Sequence, residues 1–94
     1  MSVTLGKSPL LLDAASDEVG NDGKQWFVTQ IRFVIPAGGG TGQFSVLDKS
    51  GGRRLYETAD LAAGEAEDWH VDSHMDGVFI SALPTGGRVY IYYK

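Results

Sequence analysis

The segment from Gly77 to Lys94 constrains the fold more than any other. Val78-Phe79-Ile80 and Val89-Tyr90-Ile91-Tyr92-Tyr93 are short runs of β-branched and aromatic residues, and Pro84-Thr85-Gly86-Gly87 supplies a turn between them. This predicts two short strands, with the final residues paired in a sheet. The same grammar of apolar run, glycine-bearing turn and apolar run covers nearly the whole sequence. No stretch sustains helical periodicity, and no long helix alternates with the strands. The expectation is an all-β domain, specifically an antiparallel β-sandwich, jelly-roll-like, with about seven or eight short strands.

A chain of 94 residues is expected to form one domain, 1–94, with 1–24 as an N-terminal arm and loop region and 25–94 as core strands. So small a domain buries a modest fraction of its surface. The chain has no cysteine, which removes disulfides and thiolate metal sites and leaves partner subunits as the remaining stabiliser. That composition fits a reducing cytosol and equally a particle assembled there. No run approaches the roughly 20 apolar residues of a membrane span. Met1 to Lys7 lacks a basic stretch followed by an apolar one, so neither a signal peptide nor a membrane partner is expected. Net charge is −4, and Thr58 to Gly77 holds Asp60, Glu65, Glu67, Asp68, Asp72 and Asp76 without a Lys or Arg. Nucleic-acid affinity comes largely from neutralising phosphates, so direct binding to DNA or RNA is not expected.

The longest strand candidate is Gln25 to Ile35. Phe27, Ile31, Phe33 and Ile35 share one face at period two with Thr29 interrupting the row, while Trp26, Val28, Gln30, Arg32 and Val34 form a mixed opposite face. Pro36 ends it. Two short extended pieces, Val3-Thr4-Leu5 and Leu10-Leu11-Leu12, precede it, and Asn21-Asp22-Gly23 marks a turn. Gln43 to Asp48 predicts a strand with Phe44 and Val46 on one face. Asp48 to Gly52 is expected as a hairpin loop leading to Arg53–Thr58, where Leu55 faces opposite to Tyr56. Ala59 to Glu67 is expected as a loop or irregular edge, Asp68 to Asp72 as a brief strand and Ser73 to Gly77 as a turn.

Chemistry-bearing constellations are sparse. His70 and His74 are spaced i, i+4, which on a helix would place both imidazoles on one face. In a strand-to-turn region that spacing spreads them, and the expectation is two partly exposed polar side chains without a metal. Gly38-Gly39-Gly40-Thr41-Gly42 lacks the lysine and following helix of a phosphate loop, and is expected to be mobile. Asp13, Asp17, Glu18 and Asp22 do not meet calcium-loop spacing and are expected to be solvated. No catalytic residue, cofactor site or metal site is expected. The aromatics remain: core volume ranks first for them, a protein interface second and a carbohydrate platform third. Partner-interface candidates are Trp26, Arg53, Arg54, Trp69, Arg88, Tyr90 and Tyr92. The three arginines would face the acidic Thr58–Gly77 stretch of a neighbouring copy.

The order of segments from Gln25 to Lys94 resembles small structural proteins of tailed bacteriophage virions, in particular head decoration (cement) proteins. The resemblance rests on a Trp26-Phe27-Val28-Thr29-Gln30-Ile31 strand, a Gly-rich turn, and a strand ending Val46-Leu47-Asp48. It continues through Arg54-Leu55-Tyr56-Glu57-Thr58-Ala59, an aromatic strand at Trp69, Gly77-Val78-Phe79-Ile80 and the closing Val89-Tyr90-Ile91-Tyr92. It implies a non-enzymatic protein on the virion capsid surface, assembled in the host cytoplasm. The implied partners are the major capsid protein and further copies of the chain, a trimer being favoured. Some members clamp with a long N-terminal arm; Met1 to Leu12 is a short candidate for that task. The alternative expectation is a carbohydrate- or receptor-binding β-sandwich module of a fibre or tail tip.

Overall fold

Alternating buried and exposed side chains along short strands build two facing sheets. The structure, a computed structural model, describes residues 2–3 (backbone only), 10–20, 23 and 25–94. Nine strands occur among these: β1 Ser2–Val3, β2 Leu10–Leu12, β3 Glu18–Gly20, β4 Trp26–Val34, β5 Ser45–Leu47, β6 Arg54–Glu57, β7 Ala66–Met75, β8 Gly77–Ala82 and β9 Arg88–Tyr93. One sheet has the order β1-β3-β8-β5-β6 and the other β2-β9-β4-β7. The pairs β2·β9, β3·β8, β4·β7 and β5·β6 are all antiparallel. The chain from β2 to β9 is thus one long hairpin, with its turn between β5 and β6, wrapped so that successive strands along each arm alternate between sheets. That wrapping is the jelly roll. The parallel β1·β3 pair is added at one edge.

The core is what the two inner faces share. Leu12, Val28, Ile31, Phe33, Val89 and Ile91 come from one sheet, and Val19, Val46, Val78 and Ile80 from the other, all essentially inaccessible. Burying such side chains contributes about 1.5–3 kcal/mol each before chain entropy is counted.

Several expectations are corrected. The row Phe27-Ile31-Phe33-Ile35 is not continuous. The β4·β9 register steps from Val28↔Tyr93 to Gln30↔Tyr92, so Thr29 is an extra, bulged residue. Its hydroxyl donates to the Tyr92 carbonyl at 3.0 Å. The bulge exchanges the faces: Trp26 and Val28 are buried with Ile31 and Phe33, and Phe27 turns outward. A second bulge places Arg54 opposite Leu47 and Tyr56 opposite Val46, so Leu55 and Tyr56 both pack against the core instead of opposing each other. The brief strand at Trp69 is a ten-residue strand that takes in the C-terminal end of the expected Ala59–Glu67 loop and most of the Ser73–Gly77 turn. Its pairing with nine-residue β4 holds it extended. Asp17 is 4% exposed rather than solvated, and its carboxylate accepts from the amides of Asp13 and Ala14. The glycine loop after Pro36 is tied down: the Gly40 amide donates to Thr85 at 2.8 Å, and Gly42 bridges to Leu61. Thr4, Leu5, Asn21 and Asp22, part of the expected N-terminal strand and turn, lie outside the described residues, as do Lys7 and Pro9 of the candidate arm.

Candidate docking face and edge cleft

Two features of the β2-β9-β4-β7 sheet gather chemistry. The first is its outer face. With Ile31, Phe33, Val89 and Ile91 turned to the core, period-two geometry turns their neighbours out. Register then lines them up across the sheet. One row runs Leu11, Tyr90, Arg32, Asp68, and the next Tyr92, Gln30, His70. Within the first row Arg32 Nη1 contacts both carboxylate oxygens of Asp68, at 3.0 and 3.1 Å. Leu11 is 41% exposed, the one large aliphatic side chain so exposed among the described residues. Further along, Phe27 meets His74 edge-on at 5.1 Å and carries Lys94 Nζ 5.6 Å from its ring centre.

The second feature lies where the two sheets' edge strands meet. Strand β6 is four residues long and faces β7, which is ten. Where β6 covers β7, the rings form a ladder. Phe33 stacks on Tyr56 (5.5 Å, 5°), and Tyr56 on Trp69 (4.7 Å, 10°). The Tyr56 hydroxyl donates to Glu67 Oε2. That hydrogen bond to a carboxylate, with burial and the negative charge itself, pushes the Tyr56 hydroxyl pKa up to about 12. Beyond the end of β6 the inward-facing residues of β7 lose their cover. They help to line an open cleft of about 240 Å³, to which Trp69, Val71 and Met75 bring apolar surface and Asp48, Arg53 and Asp76 polar groups.

The sequence-predicted residues divide between these places. Tyr90 and Tyr92 lie on the outer face. Arg88 is on the same sheet, level with Val34 and Ala66, at the opposite end of β7 from Arg53. Since β7 spans roughly 30 Å, the structure does not bring Arg53 and Arg88 together. Arg54 is exposed and reaches Glu57 at 3.5 Å. Trp69 belongs to the ladder and the cleft. Trp26 is 7% exposed and packs edge-on against Tyr93 at 5.5 Å, a core position. His70 and His74 project from the outer side of β7, and no group of three or more metal-ligating side chains gathers among the described residues.

Comparison with protein-family models, curated proteins and solved structures finds no match.

Sequence reasoning missed Leu11, Phe27, Arg32 and Asp68 on the face, and Asp48 and Leu55 in the cleft. A usable signal existed for two of them. Arg32 sits between Ile31 and Phe33, and Asp68 belongs to the alternation Asp68, His70, Asp72, His74, which marks a solvated strand face. For Phe27 and Leu55 the bulges removed the period that would have found them.

Proposed function

We propose that this chain is a non-enzymatic virion structural protein of a tailed bacteriophage, a head decoration protein that docks on the outer surface of the major capsid protein and braces adjacent capsomers. The observation that carries the reading is the outer face of β2-β9-β4-β7. It joins Leu11, Tyr90 and Tyr92 to an Arg32–Asp68 pair on a four-stranded platform. Tyrosine and arginine are enriched at protein interfaces because they combine large contact area with directional hydrogen bonding. Binary docking need not be tight, since a subunit grouped as a trimer and repeated over a shell gains avidity from linked contacts. The jelly roll, an architecture used by capsid proteins, supports the reading by analogy.

The test is co-sedimentation of the purified chain with capsids built from the major capsid protein whose gene neighbours its own. The wild-type chain is expected to saturate a fixed number of sites per shell. The double variant Tyr90→Ala/Tyr92→Ala should bind roughly ten-fold or more weakly, with its fold retained by circular dichroism. A wild-type chain that stays in the supernatant overturns the proposal, as does a double variant that binds undiminished.

A further inference from the structure

We infer that the cleft between β6 and the uncovered half of β7 is a binding site for a neutral saccharide. This is separate from docking through the outer face and does not rest on it. Four observations carry the inference.

The site has a rigid aromatic platform. One face of the Trp69 indole is held flat against Tyr56, itself backed by Phe33, so the ring is fixed in orientation while it lines the cleft. A fixed indole presents a π-face to the C–H bonds of a pyranose with little side-chain entropy left to lose on binding.

Polar groups line the same cleft. Arg53, Ser73 and Asp76 line the cleft, and their side chains make no hydrogen bond or ion pair among the described residues. They offer donors, a hydroxyl and acceptors together, which is what a ring of hydroxyls requires. Two carboxylates, from Asp48 and Asp76, accompany one guanidinium and the His74 imidazole. A neutral polyol can satisfy both signs, its hydroxyls donating to the carboxylates and accepting from the guanidinium.

One wall is preorganised. The Asp48 carboxylate accepts from the Arg53 amide at 2.8 Å, and the Asp48 amide donates to the Arg53 carbonyl at 2.9 Å. This closure exists because residue 52 is glycine: a Cβ there would lie 1.9 Å from Asp48 Oδ1. The hairpin therefore fixes the Asp48 carboxylate against the Arg53 backbone in the wall of the cleft.

Size sets the class of ligand. At about 240 Å³ the cleft has room for one sugar ring and lies below the range of pockets that enclose drug-sized molecules.

The experiment is a heteronuclear NMR titration of the full chain with glucose, galactose, N-acetylglucosamine and their β-linked trimers. At least one sugar is expected to shift the Trp69 indole resonance and amides within 48–55 and 69–77, leaving Trp26 and the outer-face amides of β9 still. Because Trp69→Ala removes a rung of the ladder and can unfold the edge, the deciding variants are Arg53→Ala and Asp76→Asn, both exposed. Each should keep the wild-type melting temperature and weaken binding roughly ten-fold. No shift at the cleft up to the solubility limit of every sugar overturns the inference. Shifts confined to another surface, or affinity unchanged in both variants, overturn it equally. Loss of capsid docking leaves these outcomes untouched, so the two proposals fail separately.

Discussion

The Tyr56 hydroxyl donates to the Glu67 carboxylate, and this bond ties the edge strand of one sheet to the edge strand of the other. Glu67 Oε1 also accepts from the Ala59 amide at 3.2 Å, so one carboxylate anchors both β6 and the segment leaving it. The sandwich is closed on this side by a side-chain staple, and immediately beyond it the cleft opens. Stability and site geometry meet at the same pair.

Tyr56→Phe is therefore expected to cost about 1.5–3 kcal/mol, the range of a hydrogen bond to a charged acceptor, read from urea unfolding. Its pH signature is specific. The folded chain holds the Tyr56 proton to about pH 12, whereas an ordinary tyrosine releases it near 10.0. Between those values the native state binds the proton more tightly than the unfolded state, so this contribution is complete below pH 10 and is lost as pH rises to 12. Ultraviolet titration should show a late-ionising tyrosine in the wild type that Tyr56→Phe removes.

Thr58 is 2% exposed and fully used: its hydroxyl accepts from the Phe44 amide at 3.0 Å and donates to the Ala59 carbonyl at 2.8 Å. Thr58→Val keeps the shape and strands the Phe44 amide. A loss of about 1–3 kcal/mol is expected in equilibrium unfolding. Thr58→Ser should recover most of it.

The bulge at Thr29 makes a paired prediction. Phe27→Thr, on the outer side, should cost less than about 1 kcal/mol. Val28→Thr, which carries a hydroxyl into a fully buried site, should cost about 1–3 kcal/mol. Uninterrupted alternation predicts the reverse order, so thermal melts of the two variants discriminate directly.

Gly20→Ala, at the end of β3, is expected to be a damaging glycine change. Gly20 has φ +83°, and a Cβ there would stand 2.6 Å from the Asp76 carbonyl oxygen. Left-handed strain alone costs about 1–2 kcal/mol, and the clash adds to it. The expected loss is visible as a melting temperature several degrees lower.

Composition and periodicity were enough to specify an all-β sandwich. Val89 and Ile91, or Phe44 and Val46, announce buried faces because strand geometry repeats every two residues and the core rewards each repeat. Turn chemistry at Asp48–Gly52 and Pro84–Gly87 marked where strands reverse. Local pattern could not reveal where the pattern slips. Thr29 and Leu55 are bulged because of the strands opposite them, and one inserted residue exchanges every face beyond it. That is why Trp26 reads as a docking residue and is core, while Phe27 reads as core and lies on the outer face. The cleft is likewise a product of assembly. It exists because a four-residue strand meets a ten-residue one across the sandwich, bringing Asp48 and Arg53 to Trp69 and Asp76 from distant parts of the chain. A sequence encodes short-range alternation directly. Register, bulges and the mismatch of partner lengths are properties of pairs of strands, fixed only when the sheets close on a common core.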